Sequence, residues 1–256
     1  MRNAAHVSFR RAAFSLVELL IVVGIIAVLL AIVVPVMSRA RNSARLVACQ
    51  SNVRQLVQAS IAYASDNDGV LPLPNLQGQD APTNAGWLYR DALPGTPGPT
   101  LVQTGVLWKY LNSMDVYHCP LDVGPWLTGK TETLTSYLMN PSVMNPALKS
   151  TKIPPPSSYP LRRMNPQAIL FLECDQSPPP PRGSPLDPPP PPVKPQSWID
   201  GTAQLDKDDA VRHGTVGACI GCFDGHIEMI SSGDYASQQA LYKLIPPQGR
   251  LYCLAP

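Results

Sequence analysis

An α+β fold is expected: a long N-terminal α-helix packed on a small antiparallel β-sheet, with long Pro-rich loops around them. Three features of the 256-residue chain predict it. An apolar run from Phe14 to Met37 passes without a break into a stretch of helical periodicity that lasts to about Ser65. Short strand-like segments bounded by turn residues lie in the second half of the chain. The 30 prolines are far above ordinary usage and leave much of the remainder irregular. A net charge of +2 offers no basic surface, so no nucleic-acid partner is expected.

Residues 1–13 form a leader with Arg2, Arg10 and Arg11 and no acid. From residue 14 to 37 only Ser15 and Glu18 are polar. At a rise of ~1.5 Å per residue this run is about 36 Å long as a helix, enough to cross a hydrocarbon core of ~30 Å. A secretory signal has a shorter apolar region with a small-residue cleavage site close behind it. Neither holds here, so residues 14–37 read as a retained transmembrane segment in contact with membrane lipid. Arg39, Arg41 and Arg45 follow the run, so the positive-inside rule alone does not orient it. Glu18 is the odd residue, since an ionisable group costs roughly 2.5–3.5 kcal/mol at the centre of a membrane helix. It either lies near enough to the interface to snorkel or awaits a positive partner. A cut just upstream would create one, because it frees an α-amino group.

The segment Arg10-Arg11-Ala12-Ala13-Phe14-Ser15-Leu16-Val17-Glu18-Leu19 resembles the processing site of type IV prepilins and type II secretion pseudopilins. Ala13 stands where Gly is usual. The resemblance implies cleavage between Ala13 and Phe14 by a prepilin peptidase, N-methylation of Phe14, and pairing of Glu18 with the N-terminus of a neighbouring subunit during assembly. It also implies a cytoplasmic leader, a single pass through the bacterial inner membrane, and a periplasmic or extracellular remainder.

Beyond the membrane segment, Cys49, Val53, Leu56, Val57, Ser60, Ile61 and Ala64 recur in steps of three and four, the spacing of one helix face. Ser51, Arg54, Gln55 and Gln58 fall off that face. One helix is therefore expected from about Ser15 to about Ser65, with residues 38–66 as its amphipathic half and a kink at Pro35. Asp66-Asn67-Asp68-Gly69 should end it, with Gly69 as a left-handed cap. Asp66 and Asp68 are also hard oxygen donors such as open a calcium loop, but the further ligands of an EF-hand are absent. A cap and turn is the expectation, calcium the alternative, and no other cofactor is called for.

The stretch from Cys49 to Pro72 is similar to a group of G-type pseudopilin relatives, with their Cys-x-x-Asn, Tyr-Ala, Asp-Asn-Asp-Gly and Leu-Pro elements. Val116-Tyr-His-Cys-Pro-Leu-Asp122 and Ser136-Tyr-Leu-Met-Asn140 resemble the Cys-Pro-x-Asp and Ser-Tyr-x-x-Asn pair of the same group.

Residues 67–256 make up the globular domain. Its first part is anchored by Trp87, Leu88, Tyr89 and a short helix over residues 107–111, and Ser136 to Met139 reads as a strand. Residues 168–174, an apolar run between Pro166 and Asp175, form the clearest strand of the domain. Two proline runs within residues 177–195 exclude a sheet interior and predict an exposed polyproline-II loop. Residues 216–223 and 226–230 read as a hairpin whose Asp224-Gly225 suits a type I′ turn. With His213 they resemble a C-terminal His-x9-Asp-Gly signature, with one residue too many between His213 and Asp224. A bulge at Gly217 or Gly221 would absorb the excess.

The sequence holds no G-x-S-x-G, Walker or dinucleotide-binding motif. Cys219 and Cys222 point to opposite faces of a strand, which excludes a thioredoxin-type pair. Cys119, Cys174, Cys219 and Cys222 lack the spacing of a zinc site. Paired polar ends of a hairpin explain His213, Asp224 and His226, and no metal site is expected. Of the 6 cysteines, Cys49 on the buried helix face and Cys119 in its Cys-Pro element are the favoured disulfide partners, with Cys174, Cys219, Cys222 and Cys253 unassigned. The reading is a structural, non-enzymatic subunit of a type II secretion pseudopilus or type IV pilus-like filament. Its partners would be prepilin peptidase, other pilin or pseudopilin subunits and an inner-membrane assembly platform. The alternative is a membrane-anchored periplasmic binding module that does not polymerise.

Overall fold

The computed structural model describes residues 16–75, 86–89, 102–121, 135–144, 158–173, 217–243, 249–251 and 253. The leader, Ala13, Phe14, Cys174, the proline-rich segment 177–195 and His213 lie outside the described residues. Two compact units divide the chain, Met1–Ala44 and Arg45–Pro256. The division falls inside the first helix and not at residue 67, because burial of side chains sets in after Arg45.

Helix α1, Leu16–Asp66, continues through Pro35. In the first unit every residue of it is exposed. Among the described residues it is the one helix long and apolar enough to cross a membrane. In the second unit the same helix buries Cys49, Val53, Leu56, Val57, Ala59, Ser60 and Ala64. This is the face read from the spacing, with Ala59 added and Ile61 only half-buried. The helix ends at the expected turn. Gly69 has φ +79° and its N–H donates to Ala64 O at 2.7 Å. Asp68 is also left-handed at φ 53°, and Asn67 Nδ2 donates to Tyr63 O at 2.7 Å. The Asn67 side chain thus closes a carbonyl that the helix end leaves open.

Four strands form one antiparallel sheet in sequence order: β1 Tyr137–Met139, β2 Ile169–Glu173, β3 Ala218–Cys222 and β4 Ile227–Ile230. Among the described residues two short α-helices accompany them, α2 Trp108–Leu111 and α3 Ser232–Tyr242. One sheet face, with Tyr137, Met139, Phe171 and Cys219, joins the core formed by the buried face of α1 and by Trp87, Tyr117 and Leu107. The other face, with Leu138, Ile169, Leu172, Ala218, Ile220 and Ile230, is covered by Tyr235 of α3 and by Leu251. Both faces are apolar, which is why strands this short read as continuous apolar runs.

The bulge of this sheet lies in β2, and not at Gly221, which pairs with β4 in unbroken register. Ile169 pairs with Cys222 and Phe171 with Gly221, so the extra residue is Leu170 in β2. It lets Leu170 and Phe171, consecutive in sequence, both join the α1-side core. Gly221 opposite them has another duty. A Cβ there would lie 2.6 Å from Val57 Cγ2 and 2.8 Å from Val53 Cγ1 of α1.

Candidate functional site

Glu18 stands in the first turn of α1, where a carboxylate is favoured by the unpaired N–H groups of a helix start. Its neighbours Leu16, Val17, Leu19 and Leu20 are apolar and all exposed. The residues expected to flank a cleavage, Ala13 and Phe14, fall outside the described residues. What can be placed is therefore the acid and the apolar helix that carries it.

The short elements that carried the wider resemblance meet at the other end of the helix. Cys49 and Cys119 are joined by a disulfide between residues 70 apart in sequence. One turn beyond Cys49, Asn52 Nδ2 donates to Asp115 O at 3.0 Å and His118 O at 2.9 Å. The N–H of Cys119 donates to Ser136 Oγ at 2.8 Å, and the N–H of Ser136 to Tyr117 O at 2.9 Å. At the far end of β1 the buried Asn140 Nδ2 donates to Ile169 O at 2.8 Å and Leu251 O at 3.0 Å, while Oδ1 accepts from Ser142 N at 2.9 Å. Each polar side chain here satisfies backbone groups of a different segment. They act as clasps in a domain with little regular structure.

Asp66 is engaged as well. Its Oδ2 accepts from Tyr110 OH at 2.8 Å and Lys109 Nζ at 3.3 Å. The hydrogen bond from Tyr110, then that from Lys109, hold its carboxyl below the ordinary aspartate range. Asp66 and Asp68 do not gather with a third His, Cys or acid among the described residues.

The C-terminal hairpin differs from the expected turn. Only Gly225 takes positive φ, +90°, whereas a type I′ turn needs it at both central residues. Gly225 N–H donates to Cys222 O at 3.0 Å and Cys222 N–H to His226 O at 3.0 Å, leaving a three-residue loop, Phe223-Asp224-Gly225, closed by a left-handed glycine. Asp224 Oδ1 accepts from the backbone N–H of His226 at 3.0 Å and lies 2.6 Å from His226 Nδ1. Burial pushes the Asp224 carboxyl up, but the bonds from His226 outweigh it and hold it below the ordinary range. Cys222 is buried, which pushes its thiol up to about 11 although Arg250 opposes the rise. Arg250 reaches Glu228 Oε1 through Nη1 and Cys222 Sγ through Nη2, the latter at 3.1 Å.

Sequence reasoning missed α3 and this Arg250 cluster. The signal for the helix was Ser231 ahead of Asp234. Ser231 Oγ accepts from Asp234 N at 3.1 Å and donates to Asp234 Oδ2 at 2.6 Å, a reciprocal N-cap. Arg250 had no comparable signal, since nothing local ties it to the hairpin.

A family model, the prokaryotic N-terminal methylation motif, matches residues 8–34. No curated protein and no solved structure matches the chain significantly. The matched residues run from the leader through Glu18 and most of the apolar half of α1. At its N-terminus the chain carries the prepilin-type methylation motif of the type IV pilin and pseudopilin family.

Proposed function

We propose that the protein is a structural subunit of a type II secretion pseudopilus or a type IV pilus-like filament, and not an enzyme. The carrying observation is the methylation motif over residues 8–34 set on a helix that continues to Asp66. Prepilin peptidase cuts between Ala13 and Phe14 and methylates the new amine. The leader faces the cytoplasm, and the Arg45–Pro256 unit lies in the periplasm or in an extracellular filament. Subunits associate through the exposed apolar half of α1. Glu18 receives the positive N-terminus of a neighbour, and an inner-membrane platform drives assembly. Low dielectric in such a bundle makes this pairing far stronger than in water and penalises either charge left alone.

Mass spectrometry of the N-terminal peptide from native membranes tests the first step. The expected peptide begins at an N-methylated Phe14, and the processed chain is about 1.5 kDa lighter than the unprocessed one by thirteen ordinary residue weights. Retention of Met1 through Ala13 in cells with an active prepilin peptidase would reject processing. Crosslinks between the α1 helices of separate subunits distinguish a filament subunit from a tethered module that stays single.

A further inference from the structure

The alternation of β3 and β4 puts Cys222 and Glu228 on the sheet face turned away from α1, the face that Arg250 and Leu251 cover. The three-residue loop brings His226 to the same place. The Cys222 thiol, one His226 ring nitrogen and a Glu228 carboxylate oxygen lie within 4.8 Å of one another. We propose that Cys222, His226 and Glu228 bind a single Zn²⁺, with the fourth position open to solvent.

The donor set fits this ion. Thiolate, imidazole and carboxylate together suit zinc, and three protein ligands with one open position is a familiar zinc arrangement. The supporting shell is in place. An ionised carboxylate can only accept, so Asp224 Oδ1 at 2.6 Å requires the proton on His226 Nδ1. That leaves the Nε2 lone pair for a metal, and Nε2 lies 3.9 Å from Glu228 Oε2. Carboxylate–histidine pairs of this kind orient ligands in metal sites. Arg250 binds the other Glu228 oxygen, Oε1, and donates to Cys222 Sγ, so it holds two of the three ligands in place.

Charge agrees. With neutral thiol and imidazole, Asp224, Glu228 and Arg250 leave the cluster one negative charge. Binding Zn²⁺ with loss of the thiol proton to solvent brings it to neutrality. The buried Cys222 gives a dry sulfur ligand, while side-chain exposures of 41% for His226 and 39% for Glu228 leave a path for the ion.

Cobalt(II) titration of the untagged full-length protein in detergent tests the site. One equivalent should bind, with a thiolate-to-cobalt charge-transfer band and intense tetrahedral visible bands, and Zn²⁺ should displace it. Cys222→Ser should abolish the charge-transfer band. His226→Gln and Glu228→Gln, at half-exposed positions, should weaken affinity at least tenfold, and Asp224→Asn on the order of tenfold. If Cys222→Ser fails to fold, the His226 and Glu228 variants decide. Absence of the charge-transfer band in folded wild-type protein overturns the proposal, as does unchanged binding in both His226→Gln and Glu228→Gln. This outcome is independent of N-terminal processing, so the site and the filament reading fail separately.

Discussion

At position 221 a side chain is excluded by the two valines above it. Val53 and Val57 are β-branched and stiff at χ1, so they cannot swing away from a new Cβ at 2.6–2.8 Å. Gly221→Ala should therefore destabilise the Arg45–Pro256 unit by roughly 1–3 kcal/mol, the usual cost of overpacking. Urea denaturation in detergent followed by circular dichroism would measure it. Unchanged stability would mean that α1 and β3 have room to spare. The same glycine shows what a sequence withholds. Its place in a β-hairpin was legible from Asp224-Gly225 and the apolar strands. Its use as a slot for the helix was not, because that depends on which residues of a distant segment lie opposite. Asn52 and Asn140 teach the same lesson, since their partners are backbone groups far away in the chain.

Among the elements, those with a long period were easiest to read. The buried face of α1, its end at Asp66 and the hairpin strands came from repeating patterns and turn residues. The strand at residues 168–174 was found as Ile169–Glu173, but not the shift at Leu170, which alternation alone cannot reveal in a run buried on both faces. The three-residue strand β1 carried too little pattern to be paired in advance. What compensates for such short elements is crosslinking. A disulfide closing a loop between Cys49 and Cys119 should contribute about 2–4 kcal/mol. Comparing urea midpoints of the oxidised protein with those of a Cys49→Ala, Cys119→Ala double variant would show the loss. Equal midpoints would indicate that the apolar contacts of α1 with the sheet suffice alone.

For the whole molecule, the division at residues 44 and 45 separates two kinds of demand on one helix. Residues that fold the second unit begin at Leu46 and Cys49, whereas Glu18 belongs to the first unit and, in the proposed filament, would serve assembly. Glu18→Leu should therefore leave membrane insertion and the protease resistance of the second unit unchanged. It should sharply reduce helix-to-helix crosslinks near Phe14 and filament formation on overproduction. Normal assembly of that variant would refute the pairing role and favour a tethered module.

The Cys49–Cys119 bond also carries a consequence for timing. In a chain exported from its N-terminus, cysteines emerge in the order 49, 119, 174, 219, 222, 253. If the second unit is exported as proposed, the two that pair are the first two to meet an oxidising compartment. An oxidase that acts as the chain emerges would join them before any rival thiol arrives. Cys219, Cys222 and Cys253 would then be withdrawn into the interior as thiols. Order of delivery, and not a search among many pairings, would select the native crosslink.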